Sequence, residues 1–190
     1  MFDIFAAMQA HLVNDIEGLA SAVVDIMLPG NHGADALAAL LCGEENFSGK
    51  LPFTYPKYVN KFAVYDYKPS ESQGMMSGSY NYNAVMDIQW PFGHGLSFSK
   101  FKYRRAKYRD GVLRIPVKNV SKIDGDEVVQ VYIKKADDVD GPIMSLRGFK
   151  RVPVKAGKKA VVEIPMSVEN IDLFNPETGK MEAAPGKYIV

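Results

Sequence analysis

Residues 112–134 read VLRIPVKNVSKIDGDEVVQVYIK, and this stretch decides the fold. Apolar and polar residues alternate through Val112–Asn119 and again through Glu127–Lys134, with Asp124-Gly125 as a turn signal between them. A period of two puts alternate side chains on opposite faces, so each run predicts a strand with one buried face. The same pattern continues downstream at Ser145–Pro153, Lys159–Ser167 and Lys187–Val190, divided by Asp140-Gly141-Pro142 and Ala156-Gly157. The chain stops on an apolar run, so the last strand is expected to be still in progress at Val190.

Short strands at this spacing, with no helix between them, predict a β-sandwich of the immunoglobulin or fibronectin type III kind from about Phe101 onward. The first third of the chain follows a different rule. Ile4, Phe5, Met8, Leu12 and Ile16 recur at helical spacing and predict a helix over residues 3–14 with one buried stripe. Ala22–Leu28 is short, β-branched and apolar, as a buried strand of a parallel sheet should be, and Pro29-Gly30 ends it. Ala34, Ala36, Leu37, Ala38, Ala39, Leu40 and Leu41 predict a helix, with Gly43 at its C-terminal cap.

This amounts to about one and a half βα units, too little to close a doubly wound domain. The N-terminal part is therefore expected to be the tail end of a larger α/β domain, its apolar faces open or covered by another copy. Residues 44–100 are rich in Gly, Ser, Tyr, Asn and Pro and predict loops with short strands. The expected fold is α+β overall: a partial α/β sandwich segment at 1–60, a Tyr/Gly-rich connection at 61–100, and an immunoglobulin-like β-sandwich at 101–190.

Composition narrows the function classes. Of 190 residues 47% are hydrophobic and 24% charged, values of an ordinary globular chain. A formal net charge of +1 gives no reason to expect nucleic acid or an anionic membrane as partner. The short basic run at Lys102, Arg104, Arg105 and Lys107 reads as a solvated strand face. Cys42 is alone and lies on the apolar stripe of its helix, which predicts a buried, inert thiol. Met1–Val13 has an early acid at Asp3, no basic start and no cleavage site, so it is not read as a signal peptide, and the compartment stays open. No run approaches the ~20 apolar residues of a membrane span.

Several residue groups could carry chemistry. The turn Leu28–Gly33 before a helix could offer backbone N–H groups to an anion, but Gly30 and Gly33 do not make a dinucleotide fingerprint and no phosphate-loop lysine follows. His32 could act as an acid or base, though no nucleophile is paired with it. His11, His32 and His94 are too irregularly spaced to predict a metal site. Glu44-Glu45 and Asp137-Asp138 are paired carboxylates, yet adjacent acids in turns rarely converge across a glycosidic bond and read as solvated charges. Tyr55, Tyr58, Tyr65, Tyr67, Tyr80, Tyr82, Trp90 and Phe92 could stack on sugar rings or simply pack long loops.

Three blocks together resemble the C-terminal region of glycoside hydrolase family 3, the β-glucosidase-like enzymes. They are LPGNHGADALAALLCGEENFSGKLPFTYP at 28–56, WPFGHGLSFSKFKY at 90–103, and VKNVSKIDGDEVVQVYI at 117–133 with LRGFKRVPVKAGKKAVVEIPM at 146–166. The last pair is similar to the family's fibronectin type III-like domain. Phe47 stands where the family usually has Pro, His94 where it has Tyr, and Phe98-Ser99 where it has Tyr-Thr.

The resemblance implies retaining hydrolysis of terminal β-glycosides in an intact enzyme, no cofactor, and a carbohydrate substrate. It also implies partners for this chain: an N-terminal barrel bearing the nucleophilic Asp and the rest of the α/β domain bearing the acid/base Glu. Neither catalytic motif is matched here, so no catalytic, substrate-binding or metal residue is assigned, and this stretch alone is expected to be inactive. Family relatives are often periplasmic or secreted. The alternatives are a noncatalytic carbohydrate-binding or protein-interaction module using the Tyr-rich segment and the sandwich, and a piece that associates with itself through its α/β half.

Overall fold

The computed structural model describes residues 17–57, 88–137, 144–167, 171–175, 177–183 and 185–190, with backbone alone at 2–5 and 173–174. The chain opens with two parallel strands, β1 (Phe2–Phe5) and β2 (Ala22–Asp25), in the register Phe2↔Ala22 to Phe5↔Asp25. The first residues of the expected helix over 3–14 are therefore a strand; the remainder, including His11, lies outside the described residues. Phe2-Asp3-Ile4-Phe5 satisfies a period of two as well as a helical one, and pairing with the β-branched β2 decides between them.

β2 stops at Asp25, short of the expected Leu28, because the Asp25 Oδ1 accepts a hydrogen bond from the Met27 N–H at 2.9 Å and Met27 turns to φ 50°. Helix α1 (Gly33–Cys42) follows, closed by Gly43 at φ 77°. The Glu44 N–H reaches back to the Ala39 carbonyl at 2.9 Å, so the glycine's left-handed conformation satisfies carbonyls that the helix end would leave open. Short strands β3 (Tyr55–Pro56) and β4 (Ile88–Trp90) then pair antiparallel.

The remaining strands form two antiparallel sheets: β5 (Phe101–Tyr103), β6 (Lys107–Arg109), β7 (Val112–Asn119) and β10 (Lys159–Pro165) make one, and β8 (Gly125–Lys135), β9 (Ser145–Val154) and β13 (Tyr188–Ile189) the other. Strands β11 (Asp172–Asn175) and β12 (Lys180–Ala183) form a separate hairpin. In the first sheet β7 is central, with β10 along one side and β5 then β6 along the other. Pro116 lies inside β7 although it has no N–H to give, and its position explains why the sheet tolerates it. Its carbonyl accepts from the Arg104 N–H at 3.0 Å, so its nitrogen faces the break between β5 and β6.

The core is the set of alternate residues read from the sequence. Leu113, Ile115 and Val117 of β7 and Val162 and Ile164 of β10 meet Val129, Val131 and Ile133 of β8, with Met166 completing the cluster. Each is at most 7% exposed, so the two sheets enclose a continuous apolar layer. The α/β piece has no such layer within its described residues. Among the described residues from 17 to 57 only Gly33, Thr54 and Tyr55 are buried. Cys42, expected to be buried, is exposed, because no described residue packs on the face of α1 that carries it.

Candidate functional site

The residues that join the α/β piece to the sandwich form the most highly connected polar group in the described structure. Asn46 lies just beyond α1, and its amide is fully used. Its Nδ2 donates to the Ser99 Oγ and to the Asp124 carbonyl, each at 2.8 Å. Its Oδ1 accepts from the Ser97 Oγ at 2.9 Å and from the Phe98 N–H at 3.0 Å. Ser99, only 5% exposed, passes the connection on by donating to the Ile123 carbonyl at 2.9 Å. Asn119, completely buried, donates to the same carbonyl at 2.8 Å and to the Val154 carbonyl at 2.9 Å. A buried amide is stable only when all its groups are paired, and here the pairing partners come from four segments far apart in sequence.

A second clasp lies alongside. The Leu51 N–H donates to the His94 carbonyl at 2.7 Å, the Gly93 N–H donates to the Leu51 carbonyl at 2.8 Å, and Lys50 Nζ donates to the Gly95 carbonyl at 2.7 Å. A Cβ on Gly95 would run into the backbone carbonyl of Gly49, so only glycine lets the two loops approach this closely. Gly93, at φ 80°, is doubly constrained, since a Cβ there would also strike the Tyr132 hydroxyl and the Gln130 amide. Gln130 Nε2 donates to the Gly93 carbonyl at 3.1 Å, which fastens the loop to β8.

Aromatic rings fill the space between these loops. Tyr55, 2% exposed, meets Trp90 edge-on at 5.1 Å and stacks on Phe53 at 5.7 Å, while Trp90 lies nearly parallel to His94 at 6.3 Å. Phe47 meets Phe98 at 5.4 Å, and Phe92 meets Tyr132 at 6.4 Å. Burial lowers the pKa of His94 below its ordinary 6.5, and the Lys50 ammonium adds to the lowering against a smaller opposite pull from Glu17. The neutral imidazole is the form this loop favours.

The other sequence candidates are dispersed. His32 is exposed and starts α1 through its backbone, its carbonyl accepting from the Ala36 N–H at 3.1 Å with no side-chain cap. Glu44 and Glu45 are exposed beyond the helix cap. Asp137 is exposed and pairs with Lys135 at 3.4 Å, and Asp138 lies outside the described residues, as do Tyr58, Tyr65, Tyr67, Tyr80 and Tyr82. Lys102, Arg104, Arg105 and Lys107 are all exposed. Among the described residues no cluster of three or more His, Cys, Asp or Glu is placed to hold a metal, and no helix is long and apolar enough to cross a membrane.

Sequence reasoning marked the blocks at 28–56 and 90–103 but did not foresee that Asn46 and Ser99 bond to each other. It also missed Tyr103, whose hydroxyl donates to the Glu127 Oε1 at 2.6 Å across the two sheets. Burial and this carboxylate push the Tyr103 phenol well above its ordinary range.

Comparison with known proteins matches both parts of the chain. The family model described as Glycosyl hydrolase family 3 C-terminal domain matches residues 4–98, and the Fibronectin type III-like domain model matches residues 127–190. A Xylan 1,4-beta-xylosidase from Xylanibacter ruminicola is 39% identical over 175 residues, covering 89% of this chain and 20% of that protein. A Periplasmic beta-glucosidase from Salmonella typhimurium is 29% identical over 188 residues, covering 90% of this chain and 24% of its own.

Among solved structures, a β-glucosidase from Listeria innocua in complex with isofagomine shares the fold at TM-score 0.82 and 24% identity, covering 98% of this chain and 28% of that one. A β-glucosidase from Erythrobacter marinus gives TM-score 0.80 at 27% identity, over 98% of this chain and 25% of its own. The chain thus spans about a fifth to a quarter of the length of these relatives. It belongs to glycosyl hydrolase family 3, matching that family's C-terminal domain over residues 4–98 and the fibronectin type III-like domain over residues 127–190.

Proposed function

We propose that this chain is the C-terminal portion of a β-glucosidase-like glycoside hydrolase, one that in its intact form hydrolyses terminal β-glycosides with retention. Such a reaction proceeds by double displacement through a glycosyl-enzyme intermediate and requires a nucleophilic carboxylate and an acid/base carboxyl about 5 Å apart. We assign neither role to a residue of this chain. The layout we propose is residues 1–60 as the C-terminal part of the α/β sandwich domain, 61–100 as the connection, and 101–190 as the fibronectin type III-like sandwich.

The observation that carries the reading is the clasp itself. The blocks at 28–56, 90–103 and 117–133, which make the family resemblance, contribute Asn46, Ser99 and Asp124 to one hydrogen-bonded group. Their role in this chain is to fix the open α/β piece against a finished sandwich. The activities in the relatives' names, β-xylosidase and β-glucosidase, set the substrates for the test. Purified chain is expected to leave aryl β-glucosides and aryl β-xylosides intact at the buffer rate. Turnover at an enzyme-like rate, abolished by heat, would overturn the assignment of both carboxyls to other parts of the enzyme.

A further inference from the structure

The outer face of the β10-β7-β5/β6 sheet carries an arrangement of charge that stability alone does not explain. The register places Lys159 opposite Lys118 and Lys118 opposite Lys102, so three lysines form one row across three strands on the same face. Adjacent strands lie about 4.8 Å apart, which spreads three ammonium groups over roughly 10 Å. Like charges directly opposite one another in a sheet are destabilising. Among the described residues none of the three forms an ion pair, and Lys102 and Lys159 are exposed.

The same face shows how a sheet offsets such crowding. Four residues along β7, the row Lys107–Arg114–Glu163 includes an acid, and Arg114 Nε meets the Glu163 Oε1 at 2.8 Å. Between the two rows lie Pro116 and Val161, an apolar pair whose Val161 is 61% exposed. A sheet face with an apolar strip beside an unneutralised line of cations is complementary to a sugar chain bearing carboxylates. The ring C–H faces would rest on Pro116 and Val161 while the carboxylates meet the lysines.

We propose that this face binds a uronate-bearing polysaccharide and so holds the protein on acidic glycan. The choice of a glycan rests on the glycoside hydrolase reading; the charge row does not. A line of three charges on a narrow sheet, in a chain of net charge +1, is a poor match for a membrane or a nucleic acid, both of which reward broad basic surfaces.

The test is affinity electrophoresis of the full chain in gels containing glucuronoxylan, polygalacturonate or an uncharged xylan, at low and at moderate salt. Retardation by both acidic polymers, absent with the uncharged xylan and weakened by salt, is expected. The triple variant Lys102→Gln/Lys118→Gln/Lys159→Gln should bind the acidic polymers roughly tenfold more weakly, the sum of three exposed ion pairs. Its fold is checked by circular dichroism, and because the change relieves repulsion it should be at least as stable as the parent. A second variant, Val161→Thr, should weaken binding without changing its salt dependence.

Equal retardation by charged and uncharged xylan, no retardation at low salt, or an unaltered triple variant would each overturn the proposal. Binding to phosphatidylserine vesicles or DNA as tight as to glucuronoxylan would overturn the choice of partner. These results are independent of the hydrolysis assay, which tests family function through the aryl glycosides alone.

Discussion

The α/β piece is the more apolar of the two regions in sequence, yet among the described residues only the sandwich has an interior. In the sandwich, strands β7, β8 and β10 turn every second residue inward, and each inward residue meets another from the facing sheet. In the α/β piece Leu19, Leu28 and Leu41 are 77%, 65% and 41% exposed, and α1 buries only Gly33. A two-layer antiparallel fold closes on itself. A parallel pair of strands with one helix needs further strands and helices on both faces before its apolar residues leave water. Within the described residues, the chain joins a sandwich that encloses its own core to an α/β piece that does not.

The sharpest way to break that comparison is to truncate one apolar residue on each side. Ile133→Ala, at a core position 3% exposed, should lower stability by about 2–5 kcal/mol in urea denaturation. Leu41→Ala should change it by less than about 0.5 kcal/mol. Similar costs for both would mean that α1 has a packed face in solution. Gly95→Ala comes next, since its Cβ collides with a backbone atom; a cost of about 1–3 kcal/mol is expected, with a change in Trp90 emission as the loops part.

Smaller effects sharpen the picture within the sandwich and the clasp. Tyr103→Phe leaves Glu127 without its phenolic donor, and should cost about 1–2 kcal/mol by thermal or urea unfolding. His94 gives the smallest effect and a definite sign. Its native pKa lies below its ordinary 6.5, so the stability it contributes is fully present above that value and is lost as pH falls through the lowered native pKa. Subtracting the pH–stability curve of His94→Gln from that of the parent should isolate this loss on the acid side. A difference appearing only above pH 7 would contradict it.

The same contrast explains what could be read from the sequence. Val112–Asn119 has the predicted bounds because alternation sets both its strand state and its buried face. Gly43 marks the helix end for a local reason, its left-handed backbone. Phe2–Phe5 was not legible as a strand, since four residues satisfy two periods and the decision comes from pairing with β2. Cys42 misled for the opposite reason: an apolar stripe predicts burial only if something covers it.

At the clasp, the two blocks were visible as motifs, but the bonds from Asn46 to Ser99 and Asp124 join residues 53 and 78 positions apart. Only small polar residues among aromatics, at Ser97 and Ser99, hinted at them. The lysine row was equally hidden, because Lys102, Lys118 and Lys159 become neighbours only through strand register.

Native-state hydrogen exchange on the intact chain tests the central claim most directly. Amides of β7, β8 and β10 should exchange only through global unfolding, those around Asn46 and Leu51 at an intermediate level, and those of β2 and α1 fastest. Protection of α1 equal to that of β8 would show a closed α/β core and contradict the account.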